Sequence, residues 1–221
     1  MSTDNDTTTT TYADRTDDAG PAMARPLREL VRTVEADDAL DRHADTLERS
    51  TRALAEGGLG ALLRGDAIGH ALHPAMTDLP LGCWTSASVL DLVGGRAARP
   101  AARRLVALGL LGSLPTAMTG LAEFHTIRDD RARRVATVHA GGNAVVMLLQ
   151  LLSWRARRAD HHLRGAGWSL VGGAASLVTG YLGGHLLSAR GEGIGARGVA
   201  PATHANHADA TDVGAAHLAG G

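Results

Sequence analysis

Apolar stretches of about 20 residues alternate with arginine-rich stretches along the chain. The apolar stretches lie at 76–95, 105–124, 135–154 and 167–187. As a helix, each is long enough to cross a hydrocarbon core ~30 Å thick. A soluble helical bundle would carry charges at helical spacing within each stretch, whereas the last three contain few or none. The alternation therefore predicts four transmembrane helices joined by short basic loops.

Leucines at every seventh position indicate a different kind of helix before these spans. Leu40, Leu47 and Leu54 share one face of a helix predicted over residues 26–55, and Arg, Asp and Glu fill most other positions. The pattern predicts an amphipathic helix. We expect this helix to dock on another part of the protein, to lie in the membrane interface or to self-associate.

Both ends of the chain lack large apolar side chains. Residues 1–24 are rich in Thr and Asp, and residues 191–221 are rich in Gly and Ala, so both are predicted to be disordered. The N-terminal segment also lacks the pattern of a secretory signal. The expected organisation is a tail at 1–24, a helical lead-in at 25–68, a four-span domain at 69–190 and a tail at 191–221. The expected fold class is all-α, a four-helix transmembrane bundle preceded by an amphipathic helix.

Composition excludes several classes of function. The formal net charge is −1, which predicts no nucleic-acid partner. Cys83 is the only cysteine, so it forms no intrachain disulfide and no cysteine-based metal site. The glycines lie in spans and tails, and no phosphate-binding loop, zinc-protease motif or serine-hydrolase motif is present. Whether the protein is an enzyme stays open on this evidence.

Histidines cluster at one predicted membrane face. Four spans bring both ends of the chain to the same side, which we name side A, and the opposite side is side B. The histidines expected at or near side A are His70, His73, His125, His139 and His185. His161 and His162 fall in a loop on side B. We predict His73, His139 and His185 as cofactor ligands, with His70 and His125 as candidate metal ligands.

Imidazoles that reach a bundle interior from different helices suit a b-type haem with axial histidines. They would also suit a transition metal or a proton relay. His139, Asn143 and Gln150 share one face of the third span, and polar groups within a bilayer should face the bundle interior. We expect Asn143 and Gln150 to hydrogen-bond neighbouring helices, and both a cofactor role and a structural role stay open for His139 and His185.

Small residues at helical spacing predict close helix packing. In the second span they are Gly112, Thr116 and Gly120, and in the fourth span they are Gly172, Ser176, Gly180 and Gly184.

Several stretches carry a family resemblance. They are GHALHPAMTDLPLGCWTSASVLDLVGG at 69–95, PTAMTGLAEF at 115–124, VHA at 138–140 and TGYLGGHL at 179–186. The sequence thereby resembles the bacterial and archaeal DUF2231 family of predicted membrane proteins. Ala71 stands where the family usually has proline. Because some members are fused to a Rieske-type iron–sulfur domain, the resemblance implies a four-helix membrane domain with a redox neighbour, although it supplies no activity.

The leading hypothesis is a multi-pass protein of the cell membrane that holds or docks to a redox cofactor, such as haem b, at side A. Its expected partners are the lipid bilayer and a Rieske-type redox protein, and oligomerisation stays open. The alternative is a non-catalytic membrane anchor or scaffold, and a small transporter is the third hypothesis. We expect the termini to lie in the cytoplasm.

Overall fold

The computed structural model describes residues 25–189, and all regular secondary structure in that range is helical. The α helices are α1 (Arg25–Ala36), α2 (Asp41–Ala55), α3 (Gly57–Arg64), α4 (Leu72–Val93), α5 (Arg99–Phe124), α6 (Asp130–Arg158) and α7 (His162–Ala189). This confirms the all-α class. The tails predicted at 1–24 and 191–221 lie outside the described residues.

Helices α4 to α7 form a four-helix bundle. Each packs on the next helix in the chain, and α7 returns to contact α4. The connections are only a few residues long, as expected for antiparallel neighbours. Pairs α4–α5 and α6–α7 have the most extensive contacts, so the bundle consists of two helical hairpins placed side by side.

Three helical segments of the described chain are long and apolar enough to cross a membrane: Arg96–Phe124, Asp130–Arg158 and His162–Leu187. Helix α4 contains Asp78 and Asp91 and is not among them. The segments have outward-facing leucines such as Leu148, which is 54% exposed, and Leu177, which is 77% exposed. An apolar exterior of this kind is typical of surfaces that contact a membrane.

The single helix predicted over 26–55 is wrong, because that range contains two helices, α1 and α2, and the lead-in continues with α3. Asp37 has an extended backbone, and its side chain accepts a hydrogen bond from the Ala39 N–H. This capping interaction ends one helix and starts the next turn, as Asp does at helix boundaries. A second break follows at Glu56, which is extended, and Gly57, which has a φ of +61°.

The lead-in docks on the side-A end of the bundle, which is the first of the three alternatives predicted from its leucines. Ala44 is buried, and Leu40 and Leu47 pack against the same apolar cluster. The Arg134 guanidinium donates to both carboxylate oxygens of Asp41, at 2.7 and 2.9 Å. These hydrogen bonds lower the pKa of the Asp41 carboxyl. Apolar packing and ion pairs together therefore hold α2 to α6.

Candidate functional site

Two of the predicted ligands meet in the side-A half of the bundle. The rings of His73 and His139 are perpendicular, and their centroids are 6.1 Å apart. His73 lies in the first turn of α4, whereas His139 lies in the third turn of α6. These helices belong to different hairpins, so the contact joins the two halves of the bundle.

Each imidazole is held by a threonine carbonyl of its own hairpin. Nδ1 of His73 lies 2.9 Å from the Thr116 carbonyl oxygen, and Nδ1 of His139 lies 2.8 Å from that of Thr179. A carbonyl oxygen only accepts hydrogen bonds, so each Nδ1 carries the proton and donates it. The lone pair of each neutral ring is then on Nε2, the atom able to bind a metal.

Glycines make room for both rings. A Cβ added at Gly120 would lie 2.8 Å from Cε1 of His73, and one added at Gly183 would lie 2.9 Å from Cε1 of His139. Such separations are shorter than real Cβ contacts, so a side chain at either position would displace the imidazole. The two glycines therefore set how closely each histidine approaches its partner helix.

Further polar groups contact the pair. The Glu123 Oε1 atom accepts a long hydrogen bond of 3.4 Å from the backbone N–H of His73. The side-chain amide of Asn143 lies 3.0 Å from Nε2 of His139, and its N–H donates to that lone pair. Gln150 is 1% exposed and accepts from the Ser169 hydroxyl. Gln150, deeper in the bundle, thus bonds to the neighbouring helix α7 as predicted, whereas the Asn143 bond stays within α6 and the expectation of an interhelical bond is wrong for that residue.

The contacts of the two hairpins repeat along the chain. His73 and His139 are 66 positions apart, and their partner glycines, Gly120 and Gly183, are 63 apart. The threonines that hold the rings are also 63 positions apart. The same offset relates two further glycines, Gly109 and Gly172, which face side chains from α4 and α6. The hairpins are therefore equivalent units, with His73 and His139 in corresponding places.

A second pair of corresponding residues meets near side B. Asp91 and Arg157 are also 66 positions apart, and their two hydrogen bonds measure 2.7 and 2.5 Å. Arg157 is fully buried and also donates to the Ser153 and Ser169 hydroxyls. Corresponding residues of the two hairpins thus contact each other at both ends of the bundle. This arrangement is expected if a pseudo-twofold axis relates the hairpins and runs along the bundle.

This buried ion pair was not predicted from the sequence, in which Arg157 lies in one of the arginine-rich stretches between apolar ones. The signal available in the sequence was the shared offset of 66 between Asp91 and Arg157 and between His73 and His139.

The other candidate histidines have different partners. His185 lies 3.2 Å from Glu35 of α1 through its Nε2 atom. His125 Nε2 lies 2.9 Å from the Thr51 hydroxyl, and burial lowers the pKa of this imidazole. His70 is exposed. Within residues 25–189, no group of three or more His, Cys, Asp or Glu side chains is arranged to hold a metal ion.

The small-residue ridge predicted on the fourth span is partly wrong. A Cβ added at Gly180 or Gly184 would meet no atom within 4 Å, whereas Gly172 and Gly183 face Gln150 and His139. The face of α7 that packs on α6 depends on the positions of the α6 side chains. The spacing of small residues along α7 does not identify that face. In α5 the predicted face is the packed one, because Gly112 and Gly120 both face side chains of α4.

Comparison with known proteins identifies one family. A family model described as "Predicted membrane protein (DUF2231)" matches residues 69–194. This range contains all four bundle helices and leaves out α1 to α3. No curated protein and no solved structure matches the chain.

Proposed function

Because the chain belongs to the DUF2231 family of predicted membrane proteins, we propose that it is a four-span protein that holds a b-type haem between His73 and His139. One observation carries this proposal. Two imidazoles, one from each hairpin, approach each other in the bundle with Nδ1 bound to a backbone carbonyl. Metal-ligating histidines generally donate their second ring nitrogen in this way, which orients the ring.

The four-span proposal rests on α4. At ~1.5 Å per residue, its 22 residues cover the thickness of a hydrocarbon core. It packs extensively on α5, which is long and apolar enough to span. Asp91 is neutralised by Arg157, so one of the two carboxylates of α4 is already compensated. Four spans return the chain to side A.

We place the protein in the cell membrane with side A in the cytoplasm, where the ion-paired lead-in would be hydrated. A protease that removes a tag from residue 1 outside intact cells would reverse this orientation.

The donor set favours haem over a bare metal ion. A bare zinc or copper ion usually takes three or four protein ligands, whereas haem iron takes four nitrogens from the porphyrin and needs only two axial ligands. His73 and His139 are two neutral imidazoles with lone pairs on Nε2. Ligation by His139 would replace its hydrogen bond from Asn143. Gly120 and Gly183 let each imidazole pack against its partner helix, which fixes the position of the ring.

When bound, the haem would supply one-electron transfer. The residues of the chain would orient its ligands and surround them with an apolar bundle. A redox partner such as a Rieske-type protein would then exchange electrons with it at side A.

A visible spectrum of the full chain tests the proposal. After haem-replete expression, we expect a Soret band from the purified protein. His73→Ala and His139→Ala should each abolish the band while circular dichroism shows that the helices remain. His161→Ala is the control, because that residue is exposed on side B, and it should keep the band. A colourless wild-type protein would refute haem binding.

The second candidate is a non-catalytic anchor or scaffold, and the Asp91–Arg157 pair favours it. The pair shows that polar groups in this bundle do join the hairpins. If the protein is an anchor or scaffold, the contact between His73 and His139 also serves only to join the two hairpins. Their alanine variants would then lower the unfolding temperature, and no coloured species would be found in any variant.

A further inference from the structure

The side-B end of the bundle is rich in arginines that have no carboxylate partner. Within the described part of the chain, no acidic group forms an ion pair with Arg96, Arg99, Arg103, Arg104, Arg155, Arg158 or Arg164. Arg133 and Arg134 on side A are instead neutralised by acidic residues of the lead-in. The two ends of the bundle therefore differ in charge, and side B is the cationic one.

A groove of about 440 Å³ lies within this cationic end. It is lined by Arg99, Asp160, His161, His162, Leu163 and Arg164. These residues come from the start of α5, from the connection between α6 and α7, and from the first turn of α7. Asp160 is the only acidic group in the lining, and its carboxylate lies 3.7 Å from Nε2 of His162. Because Arg99 and Arg164 outnumber it, the groove has a net positive charge.

Two guanidinium groups line the groove. They belong to Arg99 and Arg164, and their planar geometry suits phosphate oxygens. His162 is the first residue of the 28-residue helix α7, whose positive end favours an anion.

The groove also borders the apolar exterior of the bundle. Leu163, which also lines the groove, is 86% exposed. Arg158 lies over the Trp154 ring at 4.9 Å from its centroid, and tryptophan is enriched at membrane–water interfaces. A ligand in the groove would contact cationic groups with its polar part and the apolar exterior of the bundle with its apolar part.

We propose that this side-B groove binds the phosphate of an anionic phospholipid headgroup, with Arg99 and Arg164 as its main contacts. The exposed Leu163 favours a lipid over free phosphate, because a free ion would make no use of an apolar side chain beside the groove. The proposal is independent of haem binding.

Thermal unfolding of the full chain in detergent tests the proposal. The probes are short-chain phosphatidylglycerol, short-chain phosphatidylcholine and inorganic phosphate, each titrated separately. Phosphatidylglycerol should raise the unfolding temperature of the wild-type protein well above the effect of the other two. Arg99→Gln and Arg164→Gln should each weaken its apparent affinity about tenfold, because each removes a charge-assisted contact.

Arg131→Gln is the matched control, since Arg131 is exposed and lies at the side-A end of α6. It should keep the wild-type affinity for phosphatidylglycerol. The proposal fails if phosphatidylcholine stabilises the protein equally, or if Arg131→Gln weakens binding as much as the groove variants. An equal effect of inorganic phosphate would identify a free-anion site and refute the lipid assignment.

Discussion

Replacing Asp91 by asparagine should destabilise the bundle far more than its conservative chemistry suggests. The Arg157 side chain is 0% exposed, and its two shortest hydrogen bonds go to the Asp91 carboxylate. Asparagine keeps one acceptor oxygen and removes the charge, so the guanidinium stays buried without a counterion. Breaking a buried pair in this way typically lowers the free energy of unfolding by about 3–5 kcal/mol. Because Asp91→Asn retains an acceptor, we expect about 3 kcal/mol.

The assay is unfolding of the full chain in mixed micelles, followed by the loss of helical circular dichroism. For a chain of this size, about 3 kcal/mol corresponds to a fall of roughly 6–12 °C in unfolding temperature. Arg158→Met is the control for a nearby arginine: it removes only the exposed contact with Trp154 and should change stability by about 1 kcal/mol or less. If Asp91→Asn unfolds within about 0.5 kcal/mol of the wild type, the buried pair does not exist as described.

Two double variants separate charge burial from packing. Asp91→Leu with Arg157→Met removes both charges, and it should be close to wild-type stability because no uncompensated ion remains. Asp91→Arg with Arg157→Asp exchanges the two groups. Since they occupy corresponding places in the two hairpins, the exchange should recover much of the stability that Asp91→Asn loses. Failure of the exchange alone would argue against a pseudo-twofold relation at this end.

Three further predictions concern packing, pH and docking. Gly109→Ala should destabilise the bundle by about 1–3 kcal/mol, because the new methyl would overlap the Trp84 ring, whereas Gly180→Ala, which meets no atom, should not. Burial lowers the pKa of His125, so the unfolded chain binds more protons near the ordinary pKa of ~6.5. Stability should therefore fall as the pH drops through that range, and His125→Gln should flatten this dependence in thermal unfolding at several pH values. Arg134→Ala removes the hydrogen bonds to Asp41, and limited proteolysis should then cleave the lead-in faster while the bundle stays intact.

The helices of the bundle could be predicted from the sequence, because backbone groups in lipid must be satisfied within the helix itself. An apolar run of about 20 residues therefore determines both its structure and its environment. The ends of α4 to α7 lie within six residues of the predicted limits, and most helices run longer because an arginine cluster ends the apolar pattern before it ends the helix. In the lead-in, the break at Asp37 and the short helix α3 were missed. At Asp37, one side-chain hydrogen bond to the backbone decides between a continuous helix and two shorter ones.

Tertiary structure decided how each helix is rotated and which polar groups meet. The sequence predicted that His73, His139 and His185 lie near the same membrane face. A shared depth does not determine which of these side chains contact each other. His139 turns to His73 because its Nδ1 bonds to the Thr179 carbonyl and Gly183 leaves space for its ring. His185 lies instead beside Glu35, a residue 150 positions away in the chain. Contacts of this kind depend on side chains that project from separate helices, so no local pattern contains them.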